Sequence, residues 1–196
     1  MRVLGWLSGT LFPALFWLLI MLSFDSVELT VMTLFAALLH ELGHIFVGIL
    51  IGCEGTPLPK AVLTGLRLSP GRLLSYREEA LLAAGGPIFS LLAFLILIPF
   101  SSANAYVLTF ALINLLTAAS NLLPIRSYDG YRILYGLFCH VSSLVVCERI
   151  MSTVSLIFSA VAALLSLIIL YKTGEGYWFF TIFFSVLLKE VFKKQK

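Results

Sequence analysis

Val3–Phe24 contains no charged residue, and five further apolar stretches lie beyond it along the chain. These are Leu29–Cys53, interrupted only by His40, Glu41 and His44; Ala80–Pro99; Tyr106–Leu123; Ile150–Tyr171; and the shorter Tyr177–Leu188. A hydrocarbon layer of roughly 30 Å is crossed by about 20 helical residues at 1.5 Å each, so stretches of this length read as spanning helices. Composition excludes the soluble alternative. Hydrophobic residues make up 60% of the chain and charged residues only 12%, against about 25% charged in an ordinary globular domain. The expectation is an all-α polytopic membrane protein with about six transmembrane helices. The sequence shows no repeat, low-complexity tract or long polar linker, so residues 1–196 are expected to form one transmembrane domain. No basic cluster interleaved with aromatics points to nucleic acid.

Six spans place both termini on one side. If that side is cytoplasmic, it receives every Lys and Arg except Lys172, which is the bias of the positive-inside rule. The chain is therefore expected in the cell membrane as a multi-pass protein with both termini cytoplasmic. Val3–Phe24 could instead be a secretory signal peptide, but its apolar run is long and no A-x-A site comes after it. Cys53, Cys139 and Cys147 lack CxxC spacing and fall on the same predicted side. They read as unpaired thiols in a reducing compartment.

Glu54–Glu79 is the longest polar stretch. Lys60–Leu68, the turn residues Ser69, Pro70 and Gly71, and then Arg72–Tyr76 predict a small β-hairpin at the cytoplasmic face.

Chemistry concentrates in the second span. His40-Glu41-Leu42-Gly43-His44 is an HExxH motif. Helix positions i and i+4 share a face, so both imidazoles can reach one metal ion, with the intervening Glu beside it. Zinc brings the pKa of water down to about 7, and such a Glu serves as general base. His40 lies roughly 16 Å into its span, near the midplane. Ionisable groups there cost at least about 2.5–3.5 kcal/mol for Asp, Lys or Arg and persist mainly for function. The bland alternative is a polar cluster satisfied by neighbouring helices.

A catalytic zinc site usually has three protein ligands. Cys53 lies about 13 Å along the helix from His44, too far to share a metal. Only two aspartates exist, and Asp25 is at the external end of the first span. Asp129 comes after the fourth span on the same side as His44, within the 106–134 segment. Pro124 must interrupt the helix there, and a carboxylate just past a broken helix can fold back toward the interior. The competing reading is a solvated turn Asp beside Gly130.

HELGH in the second span, Gly86-Pro87 opening the third, and Asn121-Leu122-Leu123-Pro124 with Asp129-Gly130 after the fourth resemble the site-2 protease family of intramembrane zinc metalloproteases. The six-span form resembles its bacterial and sporulation-type members, and the likeness covers roughly Leu34 to Leu134. The resemblance implies one zinc ion held by His40, His44 and Asp129, with Glu41 as general base and Asn121 near the bound peptide. It implies hydrolysis of peptide bonds in or near transmembrane segments of membrane proteins. The partners would then be the bilayer and a transmembrane substrate, with room for a regulatory membrane partner or a homo-oligomer. An unwound substrate could pair with the hairpin edge around Leu63–Leu68. Ser90, where the family often has Asn, and Tyr131, where Gly is common, depart from the pattern; they bear on substrate contacts more than on ligands or base.

Two rivals remain. A metal transporter could use the same three ligands transiently, but it has no evident need of Glu41. A catalytically inactive membrane scaffold would not need the HExxH motif. Elsewhere, Gly48 and Gly52 form a GxxxG spacing that reads as close helix packing, His140 reads as exposed, and Glu148 and Arg149 read as interface anchors.

Overall fold

The computed structural model describes residues 26–53, 74–102, 104–174 and 177–193, and among them every regular element is helical. The elements are α1 (Val27–Leu50), α2 (Tyr76–Leu97) continued by a 3-10 turn (Ile98–Phe100), α3 (Ala105–Asn121), α4 (Asp129–Val141), α5 (Leu144–Thr173) and α6 (Tyr177–Lys193). Val27–Leu50, Tyr76–Phe100 and Leu144–Thr173 are long and apolar enough to cross a membrane, and Ala105–Asn121 is a shorter apolar helix. The expected first span, Val3–Phe24, lies outside the described residues.

Most of the predicted hairpin, including all of Lys60–Leu68, also lies outside the described residues. Where its second arm is described, the expectation needs correction, because Tyr76 begins α2. Ser75 makes the difference. Its Oγ accepts from the Glu78 amide at 3.3 Å, while its own N–H donates to the Glu78 carboxylate at 2.9 Å. This reciprocal Ser-x-x-Glu cap satisfies two helix-start donors at once.

The described residues form two compact units. The first contains α1, the body of α2 from Ala84, and α3 as far as Ala119. Ser26 starts α1 by accepting from the Leu29 amide at 3.2 Å. The helix is apolar on its outside: Val31, Leu34, Phe35, Leu38, Phe46 and Ile49 are exposed, whereas Thr30, Ala36, His40, Gly43, His44 and Gly48 are buried. That pattern suits a lipid solvent, in which small and polar residues mediate helix contact. At Gly43 and Gly85 the backbones of α1 and α2 come close together. A Cβ on Gly43 would lie 2.7 Å from the Gly85 carbonyl carbon, and one on Gly85 would lie 2.9 Å from that of Gly43.

Gly48 and Gly52 are not a packing pair. Gly52 adopts φ 75° just past α1, with open space where its Cβ would be. The Cys53 amide bonds the Gly48 carbonyl at 2.8 Å and the Gly52 amide bonds that of Ile49 at 3.1 Å. This is a Schellman stop, for which glycine is chosen by its tolerance of positive φ.

The second unit contains Ser75–Ala83 of α2 and everything from Ser120 onward. Pro124 ends α3, as expected; the helix stops at Asn121, since residues before proline avoid helical geometry. Beyond this break the chain is more helical than predicted. Asp129–Val141 is the helix α4, too short to register as a span, and it buries Tyr131, Gly136 and Cys139 while exposing His140. Through 30 residues α5 extends about 45 Å, more than the hydrocarbon requires. Glu148 and Arg149 are exposed near one end and Lys172 near the other.

The cysteine expectation is overturned for two residues. Cys139 and Cys147 form a disulfide, with Cα atoms 5.5 Å apart, and only Cys53 is free. The physical reason is the tight turn at Ser142 and Ser143, which folds the end of α4 onto the start of α5. Both cysteines join Tyr131 and Met151 in a buried cluster flanked by Tyr76, Tyr135 and Phe138.

Candidate metal centre

The helix that carries HELGH sets its two histidines one turn apart on the buried face. His40 is 5% exposed and His44 7%. Their Nε2 atoms are 3.3 Å apart and the rings meet edge to face. Two nitrogens bonded to zinc at about 2.0–2.1 Å, with a tetrahedral angle between them, are separated by about 3.3 Å. The pair therefore already has the bite of a zinc chelate.

Helix α2 supplies the floor beneath these rings. Gly86 offers its N–H to Nδ1 of His44 at 3.3 Å, and Ser90, one turn later and fully buried, lies 3.2 Å from Nδ1 of His40. The contacts run 44 with 86 and 40 with 90, which is the register of antiparallel neighbours. Gly86-Pro87 does not open this helix, as the sequence suggested, but lies well inside it. Pro87 has no N–H to return to the preceding turn. Gly86 leaves the space that the imidazoles fill, since a Cβ there would overlap Nε2 of both histidines.

In the second unit, Asp129 is the first residue of α4 and is 8% exposed. Gly130 allows that position. A Cβ on it would collide with the backbone of Leu122, so the chain can fold back on the end of α3 only with glycine there. The preceding segment is fixed on both sides. Ile125 is fully buried, and the Arg126 amide donates to Ser155 Oγ of α5 at 2.9 Å. The Arg126 guanidinium lies 3.8 Å from buried Glu190 of α6 and 5.5 Å from the Tyr131 ring centre. Burial pushes the Tyr128 and Tyr131 phenols up, so both neighbours of the Asp129-Gly130 pair stay uncharged near neutral pH. Arg132 approaches the Asp129 carboxylate at 3.7 Å.

Of the residues singled out from sequence, His40, His44 and Asp129 come together: one donor atom from each lies within 4.8 Å of the others, and all three residues are buried. Two imidazoles and a carboxylate are a donor set suited to zinc. Glu41 is half-buried on α1, and Asn121 is half-buried at the end of α3. Sequence reasoning set Ser90 aside as a departure and read Gly86 only as part of a motif. Their contacts with histidines more than 40 positions away left no local signal.

No protein-family model matches the sequence, and no curated protein matches it. Among solved structures, the fold is similar to that of a Site-2 Protease from Methanocaldococcus jannaschii, at 19% identity and a TM-score of 0.61. The similarity covers 87% of this chain and 81% of that one.

Proposed function

We propose that this chain is an intramembrane zinc metalloendopeptidase that hydrolyses peptide bonds in or near transmembrane segments of membrane proteins. The observation that carries the reading is the convergence of buried His40, His44 and Asp129. The HExxH order adds Glu41 to that set, and the fold similarity to a site-2 protease supports the same reaction class.

On this reading, His40, His44 and Asp129 hold one zinc ion per chain. When bound, zinc supplies Lewis acidity toward water and toward the scissile carbonyl. Glu41 accepts a proton from the attacking water and delivers it to the leaving amine. Asn121 helps hold the peptide. A substrate helix must unwind locally first, because intrahelical hydrogen bonds and packing shield its carbonyl carbons. Val31, Leu34, Phe35 and Leu38 of α1 are exposed apolar residues, against which a substrate helix arriving sideways would pack.

The direct test is to load the purified protein with zinc and present a helical membrane substrate. One zinc per chain and cleavage within or beside the substrate helix are expected. Asp129→Asn should lower zinc occupancy, because a neutral amide oxygen replaces a carboxylate and only two histidines remain as strong ligands. Wild-type zinc affinity in Asp129→Asn would move the third ligand elsewhere.

Both termini are proposed to be cytoplasmic, with the centre reached by water from that face. The charge distribution motivates this, while a disulfide is uncommon on a cytoplasmic face. A single cysteine introduced beside Lys172, with the three native cysteines replaced, decides between them. Labelling from outside by an impermeant reagent is expected; labelling only from inside would reverse the topology.

A further inference from the structure

Nδ1 of His40 lies 3.2 Å from Ser90 Oγ, and Nε2 of the same ring lies 3.3 Å from Nε2 of His44. A histidine that holds a metal ion through Nε2 carries its ring proton on Nδ1 and donates it to a neighbouring acceptor. On His40 the atom placed to accept it is Ser90 Oγ.

We propose that Ser90 is a positioning residue for the metal centre: it accepts the Nδ1 proton of His40 and holds the ring with its Nε2 lone pair turned toward His44. The inference rests on the metal centre proposed above. Ser90 has no exposed surface, so no bulk water can replace its hydroxyl. With a metal ion on Nε2 of His40, the Ser90 contact at Nδ1 would orient the ring. A partner on the far nitrogen of a histidine ligand fixes the tautomer and raises ligand basicity, and its loss typically costs about 10–100-fold in metal affinity. The alternative is a small residue that fills space and bonds its own helix.

The test uses the full chain in lipid with isotope-labelled histidine, as wild type, Ser90→Ala and Ser90→Thr. In the metal-free protein, a hydrogen-bonded proton on Nδ1 of His40 is expected in wild type and Ser90→Thr, shifted or exchange-broadened in Ser90→Ala. Zinc affinity, measured by competition with a chromophoric chelator, should fall about 10–100-fold in Ser90→Ala and recover in Ser90→Thr. A proton on Nε2 of His40 in wild type would overturn the proposal, as would undiminished zinc affinity in Ser90→Ala. Ser90→Thr tracking Ser90→Ala in both measurements would also overturn it. If the wild type takes up no zinc, the metal centre itself fails, while the proton position still decides the role of Ser90.

Discussion

Glu41→Gln is expected to lose cleavage of a helical membrane substrate by about 10²–10⁴-fold, the usual worth of a general base, while zinc uptake stays at the wild-type level. The amide keeps the size of the carboxylate and the helix position but cannot take up the proton. Glu41 lies next to His40, half-buried, whereas both histidines point into the buried face. The substitution therefore leaves the proposed ligand set untouched. Zinc stoichiometry and the rate for a single substrate helix, measured side by side, separate base from ligand. Full cleavage by purified Glu41→Gln would sink the protease mechanism, and metal transport by the same variant would favour a transporter.

The parts of this molecule legible from sequence are those where physics acts locally or through the solvent. Lipid imposes a length, so Leu29–Cys53 nearly coincides with α1 (Val27–Leu50), and Ile150–Tyr171 lies within α5, which starts earlier, at Leu144. Helical geometry imposes i, i+4, so His40 and His44 had to share a face. Asp129 required a longer argument, from Pro124 ending one helix to a carboxylate folding back, and its buried place depends on Gly130 clearing the Leu122 backbone. Other features depended on contacts that no local pattern encodes. The Ser90 bond to His40 spans 50 positions. The Cys139–Cys147 bond needs the turn between α4 and α5. Helix α4 was hidden because a short helix beside two long spans carries no length signal. The Gly48/Gly52 spacing fits helix packing and a helix stop equally well until φ is known. Ser75-x-x-Glu78, by contrast, is a local helix-start signature, and the hairpin expectation overran it.

Gly86 is where the largest loss of zinc binding is expected from the smallest substitution. In a helix interior, Gly→Ala ordinarily stabilises by about 0.8–1 kcal/mol, so any deleterious effect must come from contact. A Cβ at Gly86 would overlap Nε2 of both His40 and His44, and the overlap falls on the proposed ligand atoms themselves. Overpacking of a tight interior typically costs about 1–3 kcal/mol, enough to cancel the helical gain. The imidazoles, being side chains, must move away before the two backbones do. Gly86→Ala should therefore fold and insert, yet lose most of its zinc. Gly85→Ala is the control, since its Cβ would meet the Gly43 backbone and Val47 and not the imidazoles. It should weaken the α1–α2 packing and lower the thermal midpoint with a smaller effect on zinc affinity in whatever fraction folds. Zinc affinity and thermal unfolding, measured on both variants, separate the two effects. Wild-type zinc affinity in Gly86→Ala would mean that the ligand nitrogens do not occupy the space above Gly86, and the ligand geometry derived from the 3.3 Å Nε2 separation would fall with it.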